Sequence, residues 1–97
     1  MSVFAPGKQT VTITGTGSTL AEQKTDSDLS GGSVTFGETV TAIEIFNKDA
    51  SNDGVFTVNG FAITVPSQSA YARPVGGTPS ATVTVTGSTS FEIRRLT

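Results

Sequence analysis

The chain has no cysteine, no histidine and no tryptophan among its 97 residues, and only one tyrosine. Without cysteine there is no disulfide staple and no thiolate metal site, and redox compartment cannot be read from the sequence. Without histidine the commonest general base and a common zinc ligand are missing, so serine, though abundant, lacks its usual activator. Charge is scarce as well. Six basic and eight acidic residues give a net charge of -2 and a pI near 4.8, which argues against a nucleic-acid-binding surface. No apolar run approaches the length of a membrane span, and the start "MSVFAPGKQT" lacks the basic and apolar regions of a secretory signal.

What is present is short alternating strands separated by Gly, Ser, Asn and Asp clusters. The clearest stretch is "VFTVNGFAITV", residues 55–65. Asn-Gly is the favoured pair for a two-residue type I′ turn, whose central residues both need positive φ. With Val58 opposite Phe61, side-chain alternation puts Phe56, Val58, Phe61, Ile63 and Val65 on one face. Pro66 cannot donate to a ladder and closes the second strand. Further strands are expected at "TVTIT" (Val11 and Ile13 inward), "SVTF" (Val34 and Phe36), "AIEIFN" (Ile43 and Ile45), "ATVTVT" (Ala81, Val83 and Val85) and "FEIRRL" (Phe91 and Ile93). Residues 20–32 read as a polar loop with one helical turn near Leu20 to Lys24, and residues 66–80 as a long loop.

The pattern predicts an all-β protein, an antiparallel β-sandwich of about seven strands with Ig-like or jelly-roll topology. Residues 1–9 form an N-terminal arm and residues 10–97 a single domain. "TVTITG" and "TVTVTG" look alike, but threonine suits the wet face of any strand, so convergence is preferred to duplication. The core is thin, and assembly with neighbours would help to complete it.

Few residues suggest chemistry. In "DASNDG", Asp49, Ser51 and Asp53 alternate before Gly54 as in the first half of a calcium loop. The twelfth position is Gly60 where a bidentate glutamate is needed, so a turn with Asx hydrogen bonds is preferred and calcium is the alternative. Glu44 and Glu92 alternate with inward isoleucines and should point to solvent, which argues against an acid–base pair. "GTGSTL" fails the dinucleotide fingerprint at Leu20. No enzyme and no resident cofactor is expected.

Interaction residues are more persuasive. Tyr71 and Arg73 lie in the long 66–80 segment and combine apolar area with directional polar ends. The competing reading folds Tyr71 back over the core edge. Phe4 sits in the extended arm, and Phe46 should face outward at a strand end, beside Val55 or Ala62.

The stretch from "GVFTVNGFAITV" through "FEIRRLT", residues 54–97, resembles the small β-sandwich proteins of tailed-phage virions, a group that includes head-decoration, neck and fibre modules. The resemblance rests on Thr/Gly/Ser-rich strands, the absence of Cys and His, and a strand that runs to the terminus. It carries no site residue with it. It implies a virion surface protein that binds capsid or tail subunits and self-associates. The expected function is therefore structural, with protein subunits as partners and neither nucleic acid nor membrane bound. The alternative is a β-sandwich module that binds carbohydrate or a host surface.

Overall fold

The structure is a computed structural model that describes residues 19–97 in full and the backbone of two strands before them. Those two, β1 (Ser2–Ala5) and β2 (Lys8–Val11), pair antiparallel as a separate two-stranded ladder. The remaining strands are β3 (Leu20–Thr25), β4 (Ser33–Thr35), β5 (Ala42–Asn47), β6 (Gly54–Val58), β7 (Phe61–Val65), β8 (Ser69–Pro74), β9 (Thr82–Thr86) and β10 (Phe91–Leu96). They form two four-stranded sheets, ordered β3-β10-β5-β8 and β4-β9-β6-β7. Among the described residues the only helical element is a 3₁₀ turn at Asp26–Asp28, begun by a capping box between Thr25 and Asp28.

The strand order decides between the two expected topologies. Every pairing is antiparallel, and β6 pairs with β7, β5 with β8, β4 with β9 and β3 with β10. Strands β3 to β10 are thus one long nested hairpin, rolled so that successive pairs alternate between sheets. This is the eight-stranded jelly roll. The tip of the hairpin is the Asn59-Gly60 turn, with φ of 51° and 86°. Its register, Phe56 opposite Ile63 and Val58 opposite Phe61, is the one that the alternation predicts.

The core lies between the sheets. Val34, Phe36, Ile43, Ile45, Phe56, Val58, Val65, Val83, Val85, Phe91 and Ile93 are buried there, joined by Val40 from the β4–β5 connection. Phe56 and Phe91 meet edge to face, with centroids 5.6 Å apart. Phe61 departs from expectation. It shares the inward face but is 52% exposed, because β7 is the last strand of its sheet and no strand beyond it covers the ring.

Two segments read as loops contain strands. "LAEQKT" is β3, an edge strand whose core-facing positions hold Glu22 and Lys24, opposite Arg95 and Ile93. Inward charges of this kind protect an edge from pairing with other chains, and they also erase the hydrophobic alternation. "SAYARP" is β8, the other edge of the same sheet, paired with β5. Ser69, Arg73 and Pro74 break its apolar pattern, and proline is tolerated at such an edge. Val11 lies in β2 with no side chain described, and Ile13 lies outside the described residues, as does most of the expected "TVTIT" strand.

Candidate interaction surface

A sandwich of two sheets has two open sides, and here they are finished differently. On one side β3 faces β4. There the Gly37 N–H donates to both carboxylate oxygens of Glu22 at 2.9 Å. Arg95 donates to the same group from Nε at 2.9 Å, with its Nη2 at 2.8 Å. Arg95 is buried because it lies on the inward face of β10, and Glu38 approaches it at 3.6 Å. The Gly37 N–H, against a smaller desolvation cost, and then Arg95 hold the Glu22 carboxyl below its ordinary pKa. This side is stitched by polar bonds.

On the opposite side no side-chain hydrogen bond joins the facing strands β7 and β8 among the described residues. The chain crosses from one sheet to the other through a tight turn, in which the Ser69 N–H donates to the Pro66 carbonyl and Gln68 takes a φ of 54°. Asp53 accepts the Ser67 N–H at 3.0 Å and fixes this corner. What remains along the seam is an apolar groove of about 360 Å³, lined by Phe61, Ala62, Ile63, Tyr71, Pro74, Val75 and Gly76. Tyr71 lies opposite Ile45, so its ring turns to the core side and packs against the core edge. The reading that folds Tyr71 back over the core edge holds, and the same ring forms part of the groove wall. Arg73 is exposed two residues further along the same strand.

The hairpin tip anchors this side. Asn59 is buried, and its side chain donates to the Val40 carbonyl at 2.8 Å and accepts the Ser80 N–H at 2.9 Å. Gly77 has a φ of +82° and packs so tightly that an added Cβ would lie 2.3 Å from the Asn59 carbonyl oxygen and 2.7 Å from the Phe61 ring. The β8–β9 connection is thereby held against the tip and the exposed ring.

Phe46 lies elsewhere. It faces outward from the β5 sheet, whereas Val55 and Ala62 belong to the other sheet, so the expected neighbourhood is wrong. Outward faces of the two sheets lie on opposite sides of the sandwich. The neighbour of Phe46 is Arg94, whose guanidinium carbon sits 4.8 Å from the ring centroid. Arg94 Nη1 reaches Glu44 at 2.8 Å and Nη2 reaches Glu92 at 2.5 Å, while Lys48 approaches Glu92 at 3.6 Å. Glu44 and Glu92 do point away from the core, but the expectation that they would be solvated fails. Glu44 is buried, and the Glu92 side chain is only 13% exposed. Desolvation by itself would lower the Arg94 pKa, yet the two carboxylates outweigh it and raise it. Phe4 is in β1, where the side chain lies outside the described residues.

Of the three oxygen ligands of the calcium reading, the Asp49 and Asp53 carboxylates are turned to different partners. Asp49 accepts from the Ser51 and Asn52 N–H groups at 2.9 Å, from the Asn52 side chain at 3.2 Å, and from the Thr89 N–H and hydroxyl at 2.9 Å. Asp53 takes the Ser67 N–H, and Ser51 is exposed. Among the described residues no three His, Cys, Asp or Glu side chains gather as a metal-ligand group. The Thr89 N–H first, then the Ser51 N–H and the Asn52 and Thr89 side chains, push the Asp49 carboxyl well below its ordinary pKa. Beside it, buried Asn47 donates to the Asn52 and Val65 carbonyls at 2.9 Å and accepts the Ser88 hydroxyl at 2.7 Å. Together these side chains replace water for a loop that no ladder can satisfy.

Of the residues that the sequence singles out, Tyr71 lines the groove and Arg73 is not among the lining residues, while Phe61, Ile63 and Val75 are wall residues that sequence reasoning misses. The uncharged second strand of the hairpin, ending at a proline that turns toward another sheet, was the available signal. Fold and seam together define a small jelly-roll domain with an apolar groove along one side. No protein family, curated protein or solved structure matches the chain. No helix among the described residues is long and apolar enough to cross a membrane.

Proposed function

We propose that the protein is a non-enzymatic structural subunit that binds other protein subunits through the β7–β8 seam, as a component of a virion surface. The observation that carries this reading is the asymmetry of the two open sides. One is closed by Glu22, Gly37 and Arg95, and the other presents Phe61 beside Tyr71 and Val75, with no side-chain hydrogen bond joining β7 to β8 among the described residues. Apolar and aromatic side chains at the rim of a groove are the usual anchors of protein interfaces. The virion assignment draws on the resemblance of residues 54–97 and on the use of jelly rolls in capsid proteins, which is an argument by analogy. The carboxylates Glu44 and Glu92 are both engaged by Arg94, which speaks against their serving as an acid–base pair. The test is protein quantification in virus particles purified from the source that encodes the chain. A fixed ratio to the major capsid or tail protein, lost on Phe61→Ser with Tyr71→Ala, is expected. Absence of the chain from particles overturns the reading.

One observation favours a second reading. Phe61 and Tyr71 place two aromatic rings in one groove, which is what a sugar ring stacks upon. Binding on a glycan array that falls on Tyr71→Ala would support a carbohydrate module, and a blank array would remove it.

A further inference from the structure

Two four-stranded sheets leave four edges, β3 and β8 in one sheet and β4 and β7 in the other. An unpaired edge is a template for another strand, and proteins blunt it with charge, proline, bulges or brevity. β3 carries inward Glu22 and Lys24, and its register with β10 shifts between Arg95 and Leu96. β4 is only three residues long. β8 ends in Arg73-Pro74. β7, "FAITV", has none of these devices. Residues 54–72, which include it, contain no Asp, Glu, Lys or Arg.

The turn dictates which backbone groups of β7 are free. In a two-residue hairpin the residues that flank the turn exchange both ladder bonds, here Val58 and Phe61. Bonded pairs then recur at Phe56–Ile63 and Gly54–Val65. The N–H and C=O groups of Ala62 and Thr64 therefore point away from β6, toward the open edge. Both side chains are exposed on the outer face, and neither residue has another hydrogen bond among the described residues.

We propose that β7 is the strand through which two copies of this chain pair, antiparallel about a two-fold axis at Ile63. In that register Ala62 of one copy exchanges both bonds with Thr64 of the second copy, and the reverse, so every free group of these two residues is used. Phe61 then lies opposite Val65 of the second copy and Ile63 opposite Ile63, all on the inward face, so the exposed ring gains cover over the apolar seam. Pro66, with no N–H, falls opposite Gly60 and ends the ladder there, which discourages a slipped register. The strand is its own complement, and without charge it meets itself with no repulsion in a chain whose net charge is -2. A two-fold contact of this kind closes at the dimer. The proposal deepens the seam-binding reading by naming a second copy as one partner, and it rests on that reading only in using the same seam.

The test uses solvent-exposed positions that leave the isolated fold intact. Sedimentation of the wild-type chain over a dilution series should show a dimer. Ala62→Lys with Thr64→Lys sets like charges directly opposite across the axis and should raise the dimer dissociation constant by at least about tenfold. Mixing that variant with Ala62→Glu/Thr64→Glu should restore a one-to-one dimer, while far-ultraviolet circular dichroism of each variant matches wild type. A wild-type monomer at every concentration overturns the proposal, as does a dimer or larger assembly unaffected by the lysine pair. A monomeric chain that is still present in particles would overturn self-pairing alone and leave the virion reading standing.

Discussion

Asn59→Gly isolates the role of the hairpin tip, because glycine supports the same positive φ and keeps the turn type. What it removes is the side chain that joins the tip to two other connections. The Val40 carbonyl loses a donor at 2.8 Å in a buried setting, and the Ser80 N–H loses an acceptor at 2.9 Å in a partly buried one. Stranding a buried polar group costs about 1–3 kcal/mol. The Ser80 site is reachable by water and belongs at the low end, so the pair should cost about 2–4 kcal/mol. For a domain of this size that lowers Tm by roughly 10–20 °C. Asn59→Ala should cost about 1–2 kcal/mol more, since alanine also bears the left-handed conformation. Urea denaturation with midpoint and slope measured on all three chains is the assay. If Asn59→Gly lies within about 0.5 kcal/mol of wild type, the tip is not an anchor and the reasoning fails.

Other outcomes follow from the same contacts. The folded pKa of Asp49 lies below its unfolded value, so its stabilisation is complete above about pH 4 and drains away as pH falls through and below that point. Asp49→Asn should be less stable than wild type at pH 7 and should lose less on acidification, as urea midpoints between pH 2 and pH 7 would show. Glu22→Ala should destabilise more than Glu38→Ala, because Glu22 holds the Gly37 N–H as well as Arg95 while Glu38 is 79% exposed. Equal urea midpoints for the two would contradict the stitched side. Phe56→Ala should cost about 3–5 kcal/mol, the range for a fully buried ring, and a smaller loss by the same assay would mean the core collapses around the gap.

Legibility followed how directly each element wrote its burial into side-chain alternation. The β6–β7 hairpin was readable to the residue, because turn chemistry and apolar period agree there. β5, β9 and β10 were readable because apolar residues alternate in each, Ile43 and Ile45, Val83 and Val85, and Phe91 and Ile93. β3 and β8 were not, since both are edges whose inward positions carry Glu22 and Lys24 or Ser69 and Arg73. Edge protection and hydrophobic alternation are competing demands on the same residues, and protection prevailed. Missing those two strands also hid the choice between Ig-like and jelly-roll topology, which depends on where β3 and β8 pair. Of the candidate residues, Tyr71 was readable as an aromatic near the core edge. Alternation puts Phe61 on the core face, but alternation reports which face a residue occupies and not whether another strand covers it.

Amide hydrogen exchange at Ala62 and Thr64, followed by NMR at dilute and concentrated protein, tests most directly the claim that β7 is the open edge through which this protein associates. Both amides should exchange rapidly in dilute solution and become protected as concentration rises, while the Phe61 and Ile63 amides, bonded to β6, stay protected throughout. Unchanged exchange at Ala62 and Thr64 over that range, or protection already complete in the dilute monomer, would contradict it.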